Sequence, residues 1–120
     1  MDFSLTDEQK MIQQTVRRFV DRELMPLESE VMQAEDKYPT GIEPGLYHDL
    51  QMKAKDLGFW GINTPEEYGG ANLGAVMSAL IAIEMGRTLV PFTFGGNADN
   101  ILYHGNEQQK AEYLIPTIEG

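Results

Sequence analysis

Residues 73–86 read LGAVMSALIAIEMG, and Ser78 and Glu84 are the only polar side chains among them. The apolar residues in this stretch are not confined to one side of a helical repeat. A helix without a polar face is typical of a position that other elements cover on all sides. The stretch therefore predicts a helix in the middle of a domain. It is too short to cross a bilayer, which requires about 20 apolar residues.

Two further helices are predicted on its N-terminal side. Thr6 and Gln9 form a capping box that opens a helix over about residues 7–24. Its apolar face consists of Ile12, Val16, Phe19 and Val20. Pro26 disfavours helix at the residue before it and can itself open a second helix. That helix has Leu27 and Val31 pointing inward and a solvated acidic side formed by Glu28, Glu30, Glu35 and Asp36.

The remaining pattern completes an all-α domain. A helix is expected from near Glu43 to Gly58, with an apolar face of Leu46, Leu50, Ala54 and Leu57. Residues 59–63 are too short a run to predict a strand, residues 64–70 read as a turn-rich loop, and residues 92–104 form helix only weakly. A second capping box, Asn106 and Gln109, opens a last helix that reaches Pro116. We expect an orthogonal-type bundle of about six helices, with a loop carrying Trp60.

Composition excludes several classes of function. The 120 residues suit one domain, and 42% of them are apolar, as in ordinary globular proteins. A net charge of -10 argues against nucleic-acid and anionic-membrane partners, which require clustered Lys and Arg. There is no cysteine, so disulfides and thiolate chemistry are excluded. The N-terminus has no basic region or apolar block of a secretory signal, and we expect a soluble cytoplasmic protein.

Four segments, in order, resemble the acyl-CoA dehydrogenase family over the whole chain. The first, FSLTDEQ at residues 3–9, resembles the opening of that family. GFWGI at residues 58–62 with PEEYGG at residues 65–70 resembles its glycine-rich loop segment, and IEMGR at residues 83–87 resembles its helix end. GNEQQKAEYLIP at residues 105–116 resembles its "QK…YLP" segment. Each segment alone is weak evidence, but together they identify the chain as a member of this family.

The resemblance implies an N-terminal α-domain at residues 1–120, followed in the parent enzyme by a β-domain and a C-terminal helical domain. It implies an FAD-dependent oxidation of an acyl-CoA thioester to its 2,3-unsaturated product. The catalytic glutamate and most of the flavin site belong to the other domains. The chain alone is therefore expected to be an inactive fragment that does not bind FAD. Implied partners are the remaining domains, an electron-transfer flavoprotein and further copies in a homodimer or homotetramer.

The resemblance also implies candidate substrate-binding residues. The family's helix that corresponds to residues 92–100 lines the far end of the acyl pocket, so Phe92, Thr93 and Gly96 are expected to face the acyl chain. Gly95 and Gly96 leave space there, which hints at a bulkier or branched acyl group. Alternatively, the two glycines permit close packing. The chain has few basic residues to bind the phosphates of coenzyme A. This domain should therefore meet the acyl end of the substrate rather than the coenzyme A part.

Other polar residues favour structural roles. Glu84, at the end of an apolar helix, is expected to pair with Arg87, Arg17 or Arg18 rather than to act as a base. His48 and His104 lack the spacing of a metal site. Gly69 and Gly70 lack the following lysine of a phosphate loop and read as a turn. Trp60 is expected in the core rather than in a ligand wall.

Three other functions stay open from the sequence. An acyl-CoA oxidase or a flavin monooxygenase of the same architecture would differ in oxygen reactivity, which these residues do not report. A stand-alone helical interaction module would lack a large exposed apolar patch, whereas a fragment should expose one. A metal-dependent enzyme is nearly excluded by the shortage of ligands.

Overall fold

The computed structural model describes residues 1–34 and 36–120. The regular elements among these residues are helices, and none of them is a strand. They form four continuous helical runs, at residues 7–33, 44–56, 74–85 and 107–119, and two isolated 3-10 turns, Glu66–Tyr68 and Asn100–His104. The all-α prediction is confirmed, although the helices number fewer than the six expected. The chain divides into two compact units, residues 1–50 with 75–92 and residues 51–74 with 93–120.

The first helical run changes its winding at a proline. Helix α1 (Asp7–Phe19) begins with the predicted capping box, in which Gln9 N donates to Thr6 Oγ1 at 3.1 Å and Thr6 N to Gln9 Oε1 at 2.9 Å. A π-helical turn (Val20–Leu24) and a 3-10 turn (Met25–Leu27) then lead into α2 (Glu28–Gln33). The proline ring has no N–H and would crowd the carbonyl four residues earlier, so the winding changes there.

The predicted apolar face of α1 faces the core of the first unit. Val16 and Val20 are fully buried and Phe19 is 3% exposed, while Ile12 is half-buried. Leu27 and Val31 are also half-buried. On the acidic side, Glu30 and Asp36 are exposed, whereas Glu28 is half-buried, and Glu35 lies outside the described residues.

Helix α3 (Pro44–Asp56) has both predicted ends. The Glu43 carboxylate accepts hydrogen bonds from Gly45 N at 3.0 Å and Leu46 N at 2.8 Å. At the other end Gly58 has φ +92°, and Phe59 N donates to Ala54 O at 2.9 Å, which is the usual closure of a helix C-terminus. Placing Leu57 on the inner face was wrong, because the helix stops before it and its side chain is 51% exposed.

Helix α4 (Gly74–Met85) is the predicted apolar helix, but only one side of it is covered. Leu80, Ile81 and Glu84 are buried. The opposite side, here named the open face of α4, consists of Ala75, Val76, Ala79, Ala82 and Ile83, all of which are exposed. The expectation that this helix is covered on all sides is therefore wrong for the described residues.

The second unit ends in a continuous helical run. The Asn106–Gln109 capping box is formed, with Gln109 N donating to Asn106 Oδ1 at 2.9 Å. α5 (Glu107–Gln109) passes through a π-helical turn (Lys110–Leu114) into α6 (Ile115–Glu119). The predicted end at Pro116 was wrong, because this proline lies in the first turn of α6, where its missing N–H is tolerated. Leu114 and Ile118 are buried.

The cap of α3 predicts a measurable pH effect. The backbone N–H groups of Gly45 and Leu46 lower the pKa of Glu43 below its usual 4.5. Because the folded pKa is lowered, the stabilisation by this cap is present above the ordinary pKa and is lost as pH falls through the lowered value. We expect a carboxyl NMR titration of Glu43 to have a midpoint below 4.5. A midpoint at or above that value would contradict the cap, and Glu43→Gln provides the control without a titrating group.

Candidate functional site

The buried carboxylate of Glu84 is held by an ion-pair network in the first unit. Glu84 is 1% exposed. Its Oε2 accepts from Arg17 Nε at 3.1 Å and from Arg87 Nη1 at 3.3 Å, and its Oε1 accepts from Gln13 Nε2 at 3.3 Å. Arg87 also donates to Asp21 Oδ1 at 3.0 Å. Both carboxylate oxygens are engaged, and the predicted pairing of Glu84 is confirmed, with Arg17 and Arg87 as its partners.

The predicted substrate residue Phe92 lies in the core of the first unit. It is 5% exposed. The ring centroid lies 5.6 Å from that of Phe19 and 5.3 Å from that of Tyr47, within the range of attractive aromatic pairs. Residues 92–99 are not helical, so the helix that the family resemblance implied for residues 92–100 is absent up to Asp99. The glycines and Asn97 of this segment are poor helix formers.

Thr93 and Gly96 belong to the second unit and have different surroundings. The Thr93 side chain is exposed, and its backbone carbonyl accepts from Gln51 Nε2 at 3.3 Å. Gly96 is buried with φ +82°, and its carbonyl accepts from the buried Thr64 hydroxyl at 2.6 Å. Of the three predicted substrate residues, Thr93 is therefore the one whose side chain is open to solvent.

Trp60 occupies the space beside both glycines. A Cβ atom on Gly95 or Gly96 would collide with the indole ring, and for Gly96 the nearest ring atoms would be 2.5 Å away. The indole N–H donates to Ile118 O at 2.9 Å, and Lys55 Nζ lies 4.4 Å from the ring centroid. The glycines thus permit close packing of Trp60. They leave no free space beside them and give no support to a bulkier or branched acyl group.

Sequence reasoning missed Thr64, which joins two loops of the second unit. Thr64 is 1% exposed, and besides its bond to Gly96 its N–H donates to Gly61 O at 2.9 Å. Gly70 packs directly against Thr64, with no room for a Cβ. Gly69 has φ +87° at the end of the 3-10 turn, which confirms the turn interpretation. The glycines flanking PEEY were the available signal of a close approach.

Three helix N-termini of the described residues are occupied by side chains of the chain itself. Phosphates bind readily at helix N-termini because free N–H groups point outward there. The N-termini of α1, α3 and α5 are capped instead by Thr6, Glu43 and Asn106 of the chain itself. Glu43 in particular would repel an anion.

The two histidines do not contribute to a metal site. His48 and His104 are both exposed, and residues 1–34 and 36–120 contain no group of three His, Asp or Glu side chains arranged to hold a metal ion. None of the helices in those ranges is long and apolar enough to cross a membrane.

Comparison with known proteins identifies the class. Residues 6–120 match the family model described as acyl-CoA dehydrogenase, N-terminal domain. (R)-benzylsuccinyl-CoA dehydrogenase of Thauera aromatica is 36% identical over 95% of this chain, and a short-chain-specific acyl-CoA dehydrogenase of Clostridium acetobutylicum is 35% identical over 100% of it. An acyl-CoA dehydrogenase from Bacillus anthracis, solved in complex with FAD, is 32% identical with a TM-score of 0.69, covering 96% of this chain and 20% of that one.

The chain therefore belongs to the acyl-CoA dehydrogenase N-terminal domain family. It spans 31% of the length of each of the two curated relatives. The order of the four sequence segments, the helical architecture and the family model all lead to this assignment.

The packing of Trp60 predicts that Gly96→Ala destabilises the fold more than Gly69→Ala. Both glycines have positive φ, +82° and +87°, so both substitutions carry a similar backbone cost. Only Gly96 has the indole beside it, whereas a Cβ atom on Gly69 would have no other atom within 4 Å. Overpacking should add about 1–3 kcal/mol for Gly96. Urea unfolding followed by circular dichroism measures the difference, and equal losses would show that the indole moves aside.

Proposed function

We propose that this chain is the N-terminal α-domain of a longer FAD-dependent acyl-CoA dehydrogenase. The observation that carries the proposal is the family match over residues 6–120, together with relatives named as dehydrogenases of CoA thioesters. The relatives are about three times as long as this chain, which supports a parent enzyme with further domains. The reaction is the oxidation of an acyl-CoA thioester to its 2,3-unsaturated product.

In this proposal the flavin supplies the redox chemistry as a hydride acceptor, and other domains hold it. The N-termini of α1, α3 and α5 support that division, because acidic side chains of the chain itself (Asp7, Glu43 and Glu107 among them) lie there and would repel phosphates. The role of this domain is to form part of the acyl-pocket wall and to exclude water. The net charge of -10 favours contact with the acyl end rather than the phosphates of coenzyme A.

The acyl-pocket residues are proposed to be Phe92, Thr93 and Gly96, with unequal roles. Thr93 offers an exposed side chain for direct contact. Phe92 is held by Phe19 and Tyr47, so it contributes a fixed wall rather than a mobile one. Gly96 is buried against Trp60 and contributes the course of the backbone. An electron-transfer flavoprotein is the proposed electron acceptor, and a homodimer or homotetramer is the proposed assembly.

The activity is tested on the protein encoded by the complete reading frame. We expect it to purify with bound FAD, and acyl-CoA to bleach the visible flavin absorption in the absence of air, with an electron-transfer flavoprotein restoring the colour. Residues 1–120 alone, purified in the same way, should be colourless. Rapid oxygen uptake with peroxide formation would instead indicate an oxidase, and a protein without flavin would refute the proposal.

The open face of α4 supports a covering by the rest of such an enzyme. Val76 is 56% exposed and Ile83 60% exposed, and the alanines between them are exposed as well. A contiguous exposed apolar surface marks an interaction site, and a lack of charge is typical of the centre of an interface. A longer polypeptide of the relatives' length provides a permanent cover for this face.

Thiol labelling tests that cover, because the chain has no cysteine of its own. Ile83→Cys should react readily in residues 1–120 and about tenfold or more slowly in the longer protein, since protection requires local opening. Gln14→Cys, on the exposed side of α1, is the matched control and should keep its rate. The labelled peptide is quantified by mass spectrometry. Equal rates for Ile83→Cys in both proteins would show that the face stays open.

A further inference from the structure

The segment between α4 and Thr93 is fixed to the helices of the first unit by successive polar contacts. Arg87 bonds Glu84 and Asp21 at 3.3 and 3.0 Å. The Thr88 hydroxyl donates to Glu28 Oε1 at 2.8 Å and accepts from Val90 N at 3.3 Å. Arg87 thus contacts α4 and the π-helical turn after α1, and Thr88 contacts α2.

Apolar contacts hold the second half of this connection, at Val90 and Phe92. Val90 is 5% exposed and its carbonyl accepts from Phe92 N at 2.8 Å. The Phe92 ring then lies against Phe19 of α1 and Tyr47 of α3. Phe92 is therefore placed by α1 and α3, whereas Arg87 and Thr88 are attached to α4, to the π-helical turn after α1 and to α2.

Glu84 joins the start of this connection to α1, because it binds Arg87 together with Arg17 and Gln13 of α1. Its Oε2 accepts from two guanidinium groups, one on α1 and one at the start of the connection. Glutamine has the same size as glutamate, but it has one acceptor oxygen and an NH₂ group that is a donor. In Glu84→Gln this NH₂ group would face one of the N–H donors that Glu84 now accepts from. Removal of the charge would also leave Arg17 and Arg87 without their common partner. The side chain is used nowhere in the proposed chemistry, yet it is fully buried.

We infer that Glu84 is a positioning residue that sets the place of the acyl-lining segment at Phe92. This inference rests on the proposed function, because only a substrate gives that segment a chemical task. Glu84 acts through Arg87 at the start of the connection and through α1, to which Arg17 ties it and whose Phe19 ring lies against Phe92. It does not itself contact the acyl chain. Its loss should alter which acyl group fits, whereas a residue with a purely stabilising role would lower stability alone.

The experiment compares Glu84→Gln, Glu84→Asp and Ile42→Val in the full-length flavoprotein. Ile42 is a buried residue of the same unit, 2% exposed and outside the network, so Ile42→Val controls for loss of core stability. For each protein, kcat and KM are measured with butyryl-CoA and isovaleryl-CoA at a temperature well below the melting temperature. Hydrogen exchange of the Phe92 amide is followed in parallel.

For Glu84→Gln we expect the kcat/KM ratio of the two substrates to change by on the order of tenfold, because small displacements of positioning groups have large kinetic effects. Exchange at Phe92 should accelerate. Glu84→Asp, which keeps the charge, should restore part of the ratio, and Ile42→Val should leave it unchanged.

Three results would each contradict the inference or the proposed function. An active Glu84→Gln enzyme with an unchanged substrate ratio overturns the positioning role of Glu84 and leaves the proposed function standing. A wild-type flavoprotein that oxidises neither substrate nor any other acyl-CoA overturns the proposed function, and the inference with it. A ratio that changes equally in Ile42→Val also overturns the inference, because general loosening would then account for the effect.

Discussion

The burial of one carboxylate constrains α1, the end of α4 and the connection that follows it. Glu84 is removed from water and lies in the last turn of α4, where the helix dipole disfavours a negative charge. Both effects are unfavourable and are offset only if cations reach the carboxylate, which Arg17 and Arg87 do. Loss of one partner of such a pair costs about 3–5 kcal/mol in other proteins. Helix α1, the end of α4 and the connection that follows are therefore held in one arrangement.

The second unit is organised by contact between an aromatic ring and backbone instead of by charge. Trp60 lies over Gly95 and Gly96, and its indole N–H reaches the carbonyl of Ile118 in the last helix. Two loops and a helix end that carry few regular hydrogen bonds are joined through this one side chain. The buried hydroxyl of Thr64 secures the same loops by its bond to Gly96. Glycine is required at these positions because any side chain would displace the ring.

Sequence signals between neighbouring residues predicted most of the helices. They could not predict contacts between residues that are distant in the sequence. The capping boxes at Thr6 and Asn106 follow from residues three apart, and they are formed as predicted. Pro26 and Pro116 each stand two residues beyond a π-helical turn, a change of winding that lets the helical run continue past the proline. Propensity gives no sign of such turns. The choice of Arg17 over Arg18 for Glu84, like the position of Trp60 over the glycines, depends on tertiary packing.

The exposed apolar face of α4 is the feature of the fold that bears on the proposal of further domains. Its sequence is apolar on every side, yet the described residues cover only the side of Leu80, Ile81 and Glu84. A domain that folded for itself would have placed polar residues on the other side, since exposed apolar stripes promote association. The N-termini of α1, α3 and α5, by contrast, are capped by side chains of the chain itself. An apolar open face on α4 beside capped helix N-termini is the surface expected under the proposed function, in which this domain packs against other domains of a longer enzyme.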